Sequence, residues 1–356
     1  MSGAYINRIA TSVPEHDVHA AFVAFADKML EDERMRAIFL RMAAKAEIGH
    51  RYSTLQADQP LKPGAVDVHA LYRRGSFPST AQRMELFEKA APVLARCALD
   101  KLALKPAERE RIQHVIVTCC TGFYAPGLDF EIVDHLGLST SVERTMVGFM
   151  GCYAAINALK LARHIVRSEP RQSVLMVNLE LCTLHLQETQ DLSEVLSFLV
   201  FGDGCAASLI TSEPVGLEID SFHAMQIEGT RGLITWRVGD IGFDMLLSGR
   251  VPGEIGKALR ESASELTTGG PFGPIDLWAV HPGGRSILDA VENGLGLAPD
   301  DLQASRSVLS RFGNMSSATV MFVLQELMRE ARAGQSGCAI SFGPGLTAET
   351  MRFHAV

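Results

Sequence analysis

No run of about 18 consecutive apolar residues occurs in the chain, so the sequence predicts no membrane-spanning helix. The first residues, MSGAYINRIATSVPEHD, lack a basic region followed by an apolar stretch, so no secretory signal is read there and a cytoplasmic protein is expected. There is no surplus of positive charge. The net charge is −8 with a pI near 5.8, which gives no basic footprint for nucleic acid. No CxxC pair exists, so a zinc site is not expected. The seven cysteines (97, 119, 120, 152, 182, 205 and 338) are odd in number and scattered, which argues against a disulfide framework. What remains is an ordinary globular balance, 47% hydrophobic and 21% charged, over 356 residues, enough to bury a large core.

The pattern of apolar residues points to an α/β protein. Helical spacing is read at His19–Leu30, Glu31–Lys45 and Thr80–Leu104. His114–Thr118 (HVIVT) is a short β-branched run of the kind found in buried strands. A helix at Cys152–Val166 follows, then strands at Ser173–Glu180 and Cys205–Thr211. The remainder repeats this order, with a strand at Ile275–Val280, a helix at Ser316–Ala333, and strands at Cys338–Phe342 and Thr347–Phe353. Strand and helix are about 40 residues apart in both halves. We read a duplicated α/β unit, residues 1–213 and 214–356, with mixed sheets between helix layers and no linker between the halves.

Duplication would bring the starts of equivalent elements to one interface, and three chemically useful residues sit at such starts. Cys152, in GFMGCYAAINALK, opens a predicted helix, whose partial positive charge favours a thiolate, the nucleophilic form. His281 ends a strand before a Pro-Gly-Gly turn, where catalytic groups collect in open α/β sheets. Asn314, in RFGNMSSATV, taken alone is an ordinary turn or cap residue. A thiolate beside an imidazolium can take an acyl group from a thioester. The histidine and asparagine can donate to an oxygen on which negative charge develops, which suits decarboxylation of a malonyl thioester.

GCYAA at Cys152, FGDGCAA at Phe201–Ala207, HPGGRSIL at His281, GNMSSATV at Asn314 and SFGPGLTAE at Ser341–Glu349 resemble the chalcone and stilbene synthase superfamily, the type III polyketide synthases. The resemblance implies a homodimeric thiolase fold, layered αβαβα, with the nucleophilic cysteine in the first half and the histidine and asparagine in the second. It implies that Cys152 carries the growing chain while His281 and Asn314 serve decarboxylation. It also implies gatekeeping phenylalanines at Phe201 and Phe243, and CoA contacts at Arg41, Lys45, Gly283, Gly284 and Ser286. Arg41 and Lys45, four residues apart, share a helix face; a position often occupied by lysine is Ile38 here. CoA thioesters enter as substrates, acyl-CoA and malonyl-CoA, and no cofactor or metal is implied.

Several pocket positions differ from the plant enzymes: Cys120 and Thr121 fall at lining positions, and Cys182 and His185 stand where the plant enzymes have threonines. The small residues Cys120, Thr121, Ala125 and Cys182 resemble the bacterial branch whose cavity opens into an extra tunnel for long acyl chains. Alanine at 125, where the plant enzymes have methionine, would leave an apolar void worth about 0.8 kcal/mol per buried CH2 to an alkyl chain. The expected activity is iterative condensation of malonyl-CoA onto a medium- or long-chain fatty acyl-CoA, giving an alkylpyrone, alkylresorcinol or acylphloroglucinol. The competing expectations are a malonyl-primed tetrahydroxynaphthalene-type synthase and a β-ketoacyl-ACP synthase III.

Overall fold

The computed structural model describes residues 3–57, 66–267 and 274–356, with the side chains of 262–267 left aside. Among these, the strands in chain order are β1 (Tyr5–Ser12), β2 (His16–Asp17), β3 (Tyr52–Ser53), β4 (Ile112–Cys119), β5 (Glu143–Gly148), β6 (Ser173–Leu181) and β7 (Asp203–Thr211). They continue with β8 (Leu217–Gln226), β9 (Ile234–Gly239), β10 (Gly242–Leu247), β11 (Leu277–Val280), β12 (Ser336–Gly343) and β13 (Thr347–Ala355).

Nine of them form one hydrogen-bonded sheet in the order β11-β12-β13-β8-β1-β7-β6-β4-β5. Its middle is a narrow seam, because β1 and β8 pair only through Tyr5–Glu218 and Ile6–Leu217. Outward from this seam the pairings match on the two sides. β1–β7 and β7–β6 are antiparallel and β6–β4 is parallel; β8–β13 and β13–β12 are antiparallel and β12–β11 is parallel.

β6 and β7 are buried at all nine positions, as expected of strands covered on both faces. The covering inner layer comprises helices Ala154–Ser168 and Thr319–Glu330, which join residues from both sides of the seam in one core. Ala154, Ala155, Ala158 and Ala162 on the buried face let the first helix approach the strands closely. Helices Thr80–Leu102 and Leu128–Leu136 cover one outer face. Helices Val251–Thr267, Arg285–Leu295 and Gln303–Phe312 cover the other. The layers alternate helix, sheet, helix, sheet, helix.

The expected boundaries need two changes that matter for the site. Cys152 lies not in the α-helix but in a single 3-10 turn, Gly151–Tyr153, and the helix begins at Ala154. Equally, Ser316–Ala318 is a 3-10 turn and the helix begins at Thr319. The helix carrying Arg41 is Glu33–Ala44, with Lys45 as its C-cap; it is started by Asp32, whose side chain accepts the Met35 N–H at 2.8 Å. No helix among the described residues is long and apolar enough to cross a membrane.

Candidate active site

Cys152 is delivered by a turn that only particular residues tolerate. After β5 the backbone enters the left-handed region at Phe149 (φ 58°) and again at Gly151 (φ 71°). A Cβ on Gly151 would also lie 2.4 Å from Pro344 Cδ, so glycine is required twice over. The turn leaves the Cys152 sulfur 3.8 Å from Ser316 Oγ. Burial pushes the thiol up to about 12, opposed by hydrogen bonding from the Ser316 and Asn314 side chains. Burial thus opposes the thiolate that a helix N-terminus would favour.

His281 follows β11, its backbone N–H tied to the Ile340 carbonyl at 2.8 Å. The ring is 1% exposed, and neither ring nitrogen has a hydrogen-bond partner among the described residues. Burial holds it down to about 3, a neutral imidazole. A buried ring with both nitrogens unsatisfied has two polar atoms left for whatever occupies the space beside it.

Asn314 follows Gly313, another left-handed glycine (φ 69°) whose added Cβ would meet the Val200 carbonyl oxygen at 2.7 Å. Asn314 Oδ1 accepts the Ser316 N–H at 2.8 Å, and that N–H can only donate, which fixes the amide orientation. The NH2 group is left to the Gly283 carbonyl at 3.4 Å and to the cavity. The Asn314 backbone also bridges to the Phe201 segment: its N–H donates to Val200 (2.7 Å) and its carbonyl accepts from Gly202 (3.0 Å).

Cys152, His281 and Asn314 line one cavity of about 770 Å³. Its walls include Cys120, Thr121, Cys182 and Phe201, together with Trp236 and Met245, which face each other across the β9–β10 hairpin. Beneath it lies a fully buried carboxyl that sequence reasoning missed. Glu180 accepts from Ser317 Oγ (2.5 Å), Thr121 Oγ1 (2.8 Å), the Cys120 N–H (3.0 Å) and the Cys120 thiol (3.3 Å). Its one signal was an acid inside the apolar run SVLMVNLEL.

A surface groove of about 1500 Å³ leads inward, sharing Leu247, Val251, Gly283 and Ile287 with the cavity. Arg41, Lys45, Gly283, Gly284 and Ser286 all line it, as does Arg285, which the sequence reading did not single out. Arg285 is engaged by Glu47 (3.1 Å) and Asp289 (3.3 Å).

Two family models match nearly the whole chain: the N-terminal domain of chalcone and stilbene synthases over residues 3–214, and the C-terminal domain over 218–356. The chain belongs to the chalcone and stilbene synthase family, the type III polyketide synthases. It is 35% identical to the α-pyrone synthesis polyketide synthase-like Pks18 of Mycobacterium tuberculosis, covering 99% of this chain and 91% of that protein. Among solved structures, PKS-I of the brown alga Ectocarpus siliculosus matches with a TM-score of 0.88 and 30% identity, covering 100% of this chain and 99% of that one. The type III domain of Steely1 from Dictyostelium matches in fold, with a TM-score of 0.89 at 24% identity and 99% of both chains covered. The synthase is thus an acyltransferase with the thiolase fold.

Three of the pocket expectations fall elsewhere in the synthase. Phe243 is fully buried and is not among the cavity's lining residues. It stacks on His185 with ring centroids 4.1 Å apart, and its N–H donates to His185 Nδ1 at 3.0 Å. His185 Nε2 donates to the Thr121 carbonyl at 2.6 Å, so this ring too is neutral, held down to about 3 by burial. Successive residues alternate faces along a strand, and Met245, two positions on from Phe243, is the one that reaches the cavity. Phe243 instead props the Trp236 ring edge-on, at 5.7 Å. Ala125 is exposed on the loop after β4 and lines neither the cavity nor the groove.

Proposed function

We propose that the synthase loads a medium- or long-chain fatty acyl group from CoA onto Cys152 and extends it two or three times with malonyl-CoA. The observation that carries this reading is the apolar cavity with Cys152, His281 and Asn314 together on its wall. The Cys152 thiol attacks the acyl-CoA carbonyl, its proton passes to His281, and CoA leaves as the thiol. His281 and the Asn314 amide then hold the malonyl thioester oxygen as CO2 departs, and the resulting enolate attacks the Cys152 thioester. Phe201 excludes water beside the sulfur. Arg41, Lys45 and the Gly283–Ser286 turn hold CoA in the outer groove.

The product is an alkylpyrone or a related alkylresorcinol or acylphloroglucinol; the pyrone is favoured by the likeness to a protein described as an α-pyrone synthase. In this reading residues 1–213 supply the nucleophile and 214–356 supply the histidine and asparagine. The working unit is a cytoplasmic homodimer. Support for pairing comes from β5, an outer edge strand: Met146 on it, Phe149 just after it and Phe123 on the loop after β4 are 44%, 37% and 55% exposed. Incubation with malonyl-CoA and octanoyl-CoA, without carrier protein, should give tri- or tetraketides by mass analysis. Product only from malonyl-CoA alone would replace the fatty starter with malonyl priming, and activity only on carrier-bound substrates would indicate a β-ketoacyl-ACP synthase III.

A further inference from the structure

Helix Glu33–Ala44 borders the outer groove, yet Phe39 is the one residue it buries fully. Its other large apolar side chains are turned outward: Met35, Leu40 and Met42 are 40%, 43% and 46% exposed. Met35, Ile38 and Met42 stand at i, i+3 and i+7, in one stripe along the helix. Arg34, Arg41 and Lys45, all exposed, make a second stripe beside it, and Leu40 lies on the far side of those cations. From β10, Leu246, also 46% exposed, adjoins the groove-lining residue Leu247. Exposed carbon thus flanks the groove from two separate elements.

The acids around this helix are mostly engaged elsewhere. Glu31 pairs with Arg74 (2.9 Å), Asp27 with Arg36 (3.2 Å), and Glu47 with Arg285 and Arg306 (3.1 Å each). Among the described residues no carboxylate pairs with Arg34, Arg41 or Lys45. The helix face is therefore net positive even with Glu33 counted, on a chain whose total charge is −8.

We propose that this face docks the synthase on an anionic membrane surface, with the mouth of the groove turned to the lipid. An apolar stripe edged by cations is the pattern of a helix that lies in a bilayer interface, where methionine and leucine enter the acyl boundary and arginine and lysine meet phosphate headgroups. The acidic remainder of the surface is repelled by the same lipid, which selects the side that faces it. CoA phosphates alone would account for cations in the groove but not for Met35 and Leu40, which line neither the groove nor the cavity. The choice of a membrane rests on the fatty acyl reading above: a long-chain acyl-CoA and an alkylated product both partition into bilayers, and a docked mouth passes them between lipid and Cys152.

The test is co-sedimentation of the full chain, without substrate, with vesicles of phosphatidylglycerol and phosphatidylcholine or of phosphatidylcholine alone. The protein should pellet with the anionic vesicles, less so at high salt, and remain in solution with the neutral ones. Each cation at an anionic surface is worth roughly fivefold in partitioning, so Arg34→Gln should weaken binding by about that factor. Met35→Glu combined with Leu40→Glu should weaken it at least about tenfold. Both proteins should keep wild-type kcat/KM for octanoyl-CoA in vesicle-free buffer, which shows that they fold. Wild-type protein that turns over octanoyl-CoA but ignores both vesicles would overturn the docking and leave the starter reading standing. Double-variant protein that pellets like wild type would also overturn it, as would retention of the stripe by an acidic acyl carrier protein in place of vesicles. Protein that pellets yet uses no fatty acyl-CoA would support the docking and overturn the starter reading.

Discussion

Replacing Glu180 by leucine should destabilise the synthase more than any change on the cavity wall. The carboxyl is fully buried, and burial raises its pKa against the donors that hold it. Leucine fits the space but accepts nothing. The Cys120 N–H, fixed in the backbone, loses its 3.0 Å acceptor, and Thr121 and Ser317 lose theirs at 2.8 and 2.5 Å. Ser317 can turn to Thr118 Oγ1, 3.0 Å away, so about two donors are left stranded. At about 1–3 kcal/mol each, less the desolvation relieved by removing a buried acid, the net loss is roughly 3 kcal/mol. A 356-residue chain unfolds with an entropy of about 0.7 kcal/mol per degree, so the melting temperature should fall by about 4 °C. Glu180→Gln keeps one acceptor and should cost about half as much. The assay is thermal unfolding followed by circular dichroism at equal protein concentration. A Glu180→Leu protein melting within about one degree of wild type, or a Gln variant worse than Leu, would refute the accounting.

Other outcomes follow from the same geometry. Cys152→Ala should abolish condensation, while His281→Gln and Asn314→Ala should slow malonyl-CoA decarboxylation about 10²–10³-fold with little change in melting; wild-type decarboxylation in either would remove its assigned role. Gly151→Ala forces a Cβ against Pro344 at φ 71° and should cost at least about tenfold in kcat/KM, since it shifts the sulfur; unchanged kinetics would show that the turn is slack. Buried His281 and His185 are held to about 3 and His19 to about 4, whereas an unfolded histidine titrates near 6.5. The unfolded chain thus binds more protons in that window, and stability should fall as pH drops from about 6.5 towards 4. Asp203, pushed up to about 6 by burial, works in the opposite sense, as do Glu180, Asp220 and Glu349, which burial also raises. Glu108, held down to about 2 by Arg8, and Asp17, lowered by His50 against its own desolvation, work with the histidines. A melting temperature that holds or rises on acidification would contradict this.

The central strands and the two inner helices were legible because burial on both faces leaves nearly unbroken apolar runs, as in SVLMVNLEL. β1 was not. YINRIATS mixes Asn and Arg with apolar residues and buries only three positions fully, so neither period stands out. The β9–β10 hairpin and the helices Val251–Thr267 to Gln303–Phe312 were passed over as well. For the cavity, sequence motifs named Cys120, Thr121, Cys182 and Phe201, all of which line it. They also named Phe243, where residue type was right but depth was not: same-face residues of one strand differ in how far along it they reach the cavity. Glu180 escaped because its meaning depends on four donors spread over residues 120 to 317.

The bridge between Phe201 and Asn314 has a consequence for how such an enzyme can change. The ring beside the nucleophile and the amide assigned to the enolate are tied by a pair of backbone hydrogen bonds, from the Asn314 N–H to Val200 (2.7 Å) and from the Gly202 N–H to Asn314 (3.0 Å). Any replacement at 201 that moves its own main chain drags the amide with it, so selectivity and chemistry are yoked at this position. Met245 and Leu247, cavity-lining residues on β10, are free of that yoke. A lineage drifting towards a new substrate can vary there first, with the amide left in place.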